Sequence, residues 1–541
     1  MALKENEVLD YISKADEAKK DYHDSWKVNR EFYLGNQHKQ KNSQYIFNFT
    51  INHIYNVIDV NLALLLDDIP CWRVYSEGDE SKEITSGERI TRYLKHLYQK
   101  LDIYQVIYNM VFDSLLYGTG ICKVYWDDSR DNEDSPFKGE VAVKRVSPFL
   151  ISVDPSATSL DNCQYIVEHI FMTKEKVKKL YKVDAQPISV SENPFSDWQK
   201  PISVEDVEGI TFTKTSDKGK NLIEVKRLWF REEEDINVYV VINNKVIKNY
   251  KSPFIDITSG EKAQRKRFPF VFMVLNPVTD EIWGISEILP LIEVQKVLNR
   301  AYSLLMEMAL FHARPKILNP KTSGISAEMW ESDPGQVIDY NLGSEPRFMT
   351  PPVPPSYLFE LALRMENLMK IISGIQDVVL GRVPSGISAA SAIAELQEAA
   401  QTKIRRKLRN RNEALKDMGE LILSRMVQFY PELRIGYITK DGERISITKD
   451  DLKQAKNLIV EVGTMLPANQ TAKFQQLLSL VELGVIPKSS ILDLLDFPDR
   501  DIIKRQIQIE EEKNLTKEII MRMGQEENQS PLIQGGNPFG L

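Results

Sequence analysis

Between Ile285 and Phe429 the chain has few options except long helices that need neighbours. Apolar residues at Val294, Val297, Leu298, Ala301, Leu304, Leu305 and Met308 recur close to the 3.6-residue period of a helix with one buried stripe. From Ser286 to His312 only Pro290 interrupts, and it falls in the first turn, where a missing N–H costs little. At ~1.5 Å per residue such a helix is on the order of 40 Å long, whereas three or four turns are ordinary in a globule. A proline-bracketed excursion follows, from Ala313-Arg314-Pro315 to Pro351-Pro352-Val353-Pro354-Pro355. It holds strand-like pieces at 316–318 and 336–340, with turn signals at Asn319-Pro320 and Asp333-Pro334-Gly335. A second helix is expected from Ser356, as its N-cap, with Leu358, Leu361, Met365, Leu368, Met369 and Ile372 as its stripe. Gly374 ends it, a loop with Gly381, Pro384 and Gly386 follows, and a third helix runs from Ser391 to about Gln428.

The whole chain sets the bounds. Its 541 residues suffice for several domains, and 27% charged with 42% hydrophobic residues fits a folded protein. A net charge of -8 excludes a wholly basic nucleic-acid clamp. No run reaches the roughly 20 apolar residues of a membrane span, so no membrane insertion is expected. The first residues lack the layout of a signal peptide. Cys71, Cys122 and Cys163 are far apart and read as free thiols in a reducing compartment.

Taken in order, residues 5–37 read as an amphipathic helix ending at Gly35, 48–66 as a second helix, and 69–75 as a strand entered through Pro70. More helix covers 83–117. Strands are expected at 117–127, 141–146, 148–155 and 165–171, then a short helix from Thr173 to Tyr181 capped by that threonine. The polar stretch 186–221 is placed on an outer edge. Strands resume at 222–230, 236–242 and 245–250, the last two joined at Asn243-Asn244, and 269–275 closes the region. A hairpin at 433–447 and a strand at 458–462 are expected to complete its sheet. Helices follow at 471–483, 488–495 and 499–523, and 524–541 reads as a disordered tail.

Catalytic signatures are missing. The six histidines form no His-Glu-x-x-His or close His/Cys cluster, and there is no Gly-x-Ser-x-Gly elbow. Gly118-Thr119-Gly120 lacks P-loop spacing and enters a strand, the wrong context for a dinucleotide fingerprint. The pairs Asp67-Asp68 and Asp127-Asp128 stand without further ligands. No enzyme activity, metal or cofactor is therefore expected.

Two stretches carry a family likeness. One is Gly374-Ile375-Gln376-Asp377-Val378-Val379-Leu380-Gly381-Arg382-Val383-Pro384-Ser385-Gly386, followed by Ile387 and Ser388-Ala389-Ala390-Ser391-Ala392-Ile393. The other is Glu281-Ile282-Trp283-Gly284-Ile285-Ser286. Both resemble portal proteins of tailed double-stranded DNA bacteriophages, as do Phe32–Gln37, the junction at 117–127 and the strands up to residue 171. The resemblance implies a helix-rich α+β fold: N-terminal helices and wing (1–280), first stem helix (281–312), clip (313–355), second stem helix (356–374), tunnel loop (375–390), long wing helix and closing strands (391–466), crown (467–523) and tail (524–541). It further implies a ring of about twelve copies at one capsid vertex, assembled in the host cytoplasm. The expected partners are the DNA passing through, terminase, a head–tail adaptor, and the major capsid and scaffolding proteins.

The resemblance also nominates sites. Gln376 to Ser388 would line the narrowest part of the tunnel, with Arg382 either touching phosphates or bridging subunits. Arg314, Lys316, Lys321, Glu328, Trp330, Glu331 and Asp333 would lie on the partner-binding clip. The basic run Lys403, Arg405, Arg406, Lys407, Arg409 and Arg411 has two readings: DNA contact, or ion pairs with an acidic neighbour in the ring.

Overall fold

Alternation of apolar and polar residues sorts the β-rich part into two sheets. The computed structural model describes residues 3–38, 48–67, 70–75, 81–128, 139–187, 222–233, 235–255, 266–313, 315–326, 337–349, 355–375, 402–430, 433–438, 443–448, 451–452 and 457–461. The chain divides into two units, Met1–Glu461 and Val462–Leu541, and every described residue belongs to the first. The expected helices after residue 470, the tail, most of 186–221 and the loop from Gln376 to Ala389 lie outside the described residues.

The larger sheet is an antiparallel meander of β4 (Ile151–Val153), β5 (Tyr165–Thr173), β6 (Leu222–Glu232), β7 (Asp235–Ile242) and β8 (Lys245–Lys251), in that order. Its period of two is plain in β6 and β7. Leu228, Phe230, Tyr239 and Val241 face Val8, Ile12 and Ala15 of α1 (Glu5–Tyr33), while Ile223, Val225, Val240 and Ile242 pack with Val177 of α5 (Lys174–Tyr181). Asn243 and Asn244 take φ of 48° and 57°, which closes the expected β7–β8 hairpin.

The smaller sheet orders β3 (Glu140–Val146), β2 (Gly120–Asp127) and β9 (Phe270–Met273), all antiparallel. The main core gathers around it. It takes residues from α2 (His53–Leu66), α3 (Ser81–Lys100), α4 (Ile103–Tyr117) and α8 (Thr402–Phe429), among them Ile54, Leu94, Met110, Leu415 and Leu421. Asp102, at φ 49°, breaks what reads as continuous helix from 83 to 117 into α3 and α4. After a short 3-10 turn at Leu289–Leu291, the hairpin is made of α6 (Ile292–Ala313) and α7 (Ser356–Ser373).

Several expectations need correcting. Among the described residues the strands near the end of the unit do not complete either sheet: β12 (Leu433–Ile438) pairs with β13 (Glu443–Thr448), and β14 (Asn457–Glu461) with β1 (Cys71–Tyr75). Asn52 accepts from the Tyr55 amide and starts α2 at His53, so 48–52 is irregular chain rather than helix. Pro290 belongs to the 3-10 turn, and the α-helix begins two residues later. Pro355, not Ser356, occupies the N-cap of α7, and the Thr173 hydroxyl makes no capping bond. Residues 337–340 are not strand; β10 (Ile317–Leu318) pairs instead with β11 (Arg347–Phe348).

An ionic clasp holds α1 on the larger sheet. Asp16 accepts from Ser152 Oγ at 2.7 Å and Lys226 Nζ at 3.0 Å, and lies 3.0 Å from His169 Nε2; His169 Nδ1 is 2.8 Å from Glu224. Burial alone would push the Asp16 carboxyl up, but its bond and attraction to His169, with Lys226 and Ser152, hold it well below the usual range. Ser152 Oγ also lies 3.3 Å from His169 Nε2, so serine, imidazole and Asp16 form one polar cluster between α1 and the sheet.

One turn along α1, Lys19 is 7% exposed and donates to the Phe149 carbonyl at 2.9 Å. Burial pushes its pKa down to about 7, against the attraction of Asp16 and Glu224. The folded value lies below the unfolded one, so between pH 7 and 10.5 the unfolded chain binds more protons and stability should rise with pH. This group alone contributes at most about 1.4 kcal/mol per pH unit. Urea midpoints at pH 7 and 9 should therefore diverge more for the natural chain than for Lys19→Met; an identical pH dependence would remove Lys19 as the cause.

Candidate functional site

Two glycine motifs far apart in sequence meet at the base of the hairpin. Gly118 ends α4 with φ 91°, and a Cβ there would lie 1.9 Å from the Gly284 carbonyl oxygen. Around this contact the Gly284 amide donates to Thr119 Oγ1 at 3.1 Å, the Glu287 amide to the Leu115 carbonyl at 2.9 Å, and the Ile285 amide to the Asn276 carbonyl at 3.0 Å. Asn29 Nδ2 joins α1 to both sides, donating to the Leu116 carbonyl at 3.2 Å and Ser286 Oγ at 2.9 Å. Trp283 sets its ring edge-on to Trp26 at 5.1 Å. The chain thus enters α6 from a point fixed by backbone-to-backbone contact.

α6 buries part of the stripe its apolar spacing predicts, together with a polar row that the spacing does not predict. Leu298 and Ala301 are buried, but Val297 is 42% exposed, while Gln295, Asn299 and Ser303 are 0%, 2% and 5% exposed. These three lie at i, i+4 and i+8 and hold the irregular segment 48–52. Gln295 Nε2 donates to the Ile51 carbonyl at 2.7 Å, the Ile51 amide to Asn299 Oδ1 at 3.3 Å, and the Phe49 amide to Ser303 Oγ at 3.0 Å. Asn299 Nδ2 also reaches Gln37 Oε1 at 2.6 Å. No apolar count finds this row; the signal was three small or amide side chains at helical spacing.

Farther out the hairpin is bare. From residue 304 to 313 no residue of α6 is buried in the chain, nor is any of 356–361 in α7. Met306, Phe311, Tyr357, Phe359 and Leu363 are 44–63% exposed. In the excursion, Lys316 and Lys321 are exposed, and the Lys316 carbonyl accepts from the Met349 amide in the β10–β11 ribbon. Arg314, Glu328, Trp330, Glu331 and Asp333 lie outside the described residues, as do Gln376 to Ser388.

The basic run on α8 separates into an inward row and an outward one. Lys403, Lys407 and Arg411, four residues apart, each address a different element. Lys403 Nζ donates to the carbonyls of Ile371 and Ile372 at 3.4 and 3.3 Å, in the last turn of α7. Lys407, 3% exposed, bonds Glu287 at 2.8 Å and Asn61 Oδ1 at 3.0 Å. Arg411, fully buried, donates to the Leu65 carbonyl in the last turn of α2. A cation at a helix C-terminus meets orphan carbonyls and the negative end of the dipole. Arg405, Arg406 and Arg409 are exposed, with Arg406 reaching Asn276 Oδ1 at 3.3 Å. The density of positive charge in sequence therefore overstates the basic surface.

Among the described residues no group of three or more His, Cys, Asp or Glu is placed to hold a metal ion, and no helix is long and apolar enough to cross a membrane. Burial pushes the Cys163 thiol up to about 12 and that of Cys122 higher still, which makes both poor nucleophiles at neutral pH. The described site is a helical hairpin anchored at its base by glycine contacts, buried amides and helix-capping cations. The model of the phage P22-like portal protein family matches residues 9–534, and the chain belongs to that family. No curated protein matches it.

Proposed function

We propose that this chain forms a ring at one vertex of a phage capsid, through which double-stranded DNA enters during packaging and leaves on infection. Terminase and then a head–tail adaptor dock on the excursion between α6 and α7, where Lys316 and Lys321 are exposed. Gln376 to Ser388 line the tunnel, and the major capsid and scaffolding proteins surround the ring. Family membership supports the portal reading. The observation that carries ring formation is the apolar surface of the outer hairpin. Residues such as Phe311, Tyr357, Phe359 and Leu363 leave about half of their area in water in the lone chain, and this many large exposed apolar side chains on one hairpin, with Phe359 and Leu363 one helical turn apart, mark an interaction surface. Neighbouring copies of the same hairpin cover it if the ring closes.

The test is a pair of charges placed on that face. Phe359→Glu with Leu363→Glu should leave subunit stability within about 0.5 kcal/mol, because both side chains are already exposed. It should shift the mass measured by light scattering from a ring to small species. Rings of unchanged mass would show that this face does not hold the copies together.

A further inference from the structure

The inward row on α8 is unevenly held. Lys407 and Arg411 are sealed inside the unit, whereas Lys403 is exposed and its two contacts are long, 3.3 and 3.4 Å. Its stem lies across Gly374, where a Cβ would come within 2.6 Å of Lys403 Cδ. Gly374, at φ 76°, is the left-handed cap of α7. The end of α7 is therefore tied to α8 through an ammonium that solvent and ions can reach. A phosphate oxygen carries a net charge that a peptide carbonyl lacks, so the ammonium gains ion-pair attraction there in addition to a hydrogen bond it can make in either place. Arg405, Arg406 and Arg409, exposed on the same helix, raise the local concentration of a polyanion.

We propose that Lys403 is a polyanion-responsive catch: a phosphate of a DNA duplex takes its ammonium from the Ile371 and Ile372 carbonyls and so loosens the last turn of α7. This rests on the conduit reading above. Lys407 and Arg411, being buried, hold α8 on the stem base and on α2 while the catch opens. The duplex thereby changes the end of one stem helix without disturbing the base of the other.

The test is hydrogen exchange by mass spectrometry on the assembled full-length protein, with a short DNA duplex at fixed low ionic strength and binding followed by fluorescence anisotropy. Amides of residues 371–375 should exchange about two- to five-fold faster when duplex binds, the range expected from losing one exposed helix-terminal charge. The last turn of α2 should not change. Lys403→Met should show the faster rate without duplex and no further response, while Lys403→Arg keeps the response. Duplex binding with no change at 371–375, or the same response in Lys403→Met, overturns the catch alone. An equal effect from inorganic phosphate at the same phosphate concentration overturns its assignment to a polyanion. An assembled ring that binds no duplex overturns the conduit reading and the catch with it.

Discussion

Replacing Gly118 by alanine should leave no folded protein at 37 °C. The new Cβ would sit 1.9 Å from the Gly284 carbonyl oxygen and 2.6 Å from its carbon, both backbone atoms that no rotamer change can move aside. The residue also holds φ 91°, where a side chain adds about 1–2 kcal/mol of strain. Clash and strain together should exceed about 4 kcal/mol, a large part of the 5–15 kcal/mol that holds a typical domain together. Gly343 supplies the control: its φ is 83°, but nothing lies within 4 Å of its Cβ position. Gly343→Ala should therefore cost only the strain, about 1–2 kcal/mol. Soluble yield and urea midpoints of the two variants check this; a folded Gly118→Ala with a midpoint near that of Gly343→Ala would mean the base of the hairpin yields easily.

Glu168→Gln should destabilise the subunit by about 3–5 kcal/mol, because it strands a buried cation. Lys123 Nζ lies 2.7 and 2.6 Å from the two Glu168 oxygens, with the rings of Trp229 at 5.0 Å and Phe270 at 5.3 Å beside it. Burial pushes Lys123 down, and the Glu168 charge only partly restores it. Burial pushes Glu168 the other way, but Lys123 and Arg227 outweigh it and keep the carboxyl below its ordinary value. Each charge is thus tolerated because of the other. Removing both, as Lys123→Met with Glu168→Leu, should cost less than Glu168→Gln, since no buried ammonium is left stranded; the remaining loss comes from Arg227, 4.0 Å from Glu168, and from Trp229 Nε1, which donates to it. A double-mutant cycle in urea decides it; additive losses would show that the two charges act independently.

How much of this could be read from residues alone follows from the range of the forces involved. The β7–β8 hairpin was legible because Asn243-Asn244 tolerates positive φ locally. The end of α1 was legible for the same reason: Gly35 has φ 86°, one residue past the cap at Leu34. The pairing of β1 with β14 was not, because Trp72 and Val460 meet only through the tertiary fold. Gly118 and Gly284 each stood out, yet what they do comes from touching one another. In α6 the apolar period misled at Val297 because the segment 48–52 brings backbone polar groups to one face, and amide side chains answer them at Gln295 and Asn299. The basic run on α8 misled in the same manner: counting cations ignores the 100° turn per residue that sends Lys407 and Arg411 inward and leaves Arg405 and Arg409 outside.

In the proposed ring, copies of this chain cover one another's bare hairpins. Light scattering on the purified protein, followed by averaged electron-microscope images of the same peak, tests it most directly. The proposed ring should appear as a species of about twelve times 62.3 kDa with a central hole in end view. A monomer or simple dimer that persists as concentration is raised would contradict it.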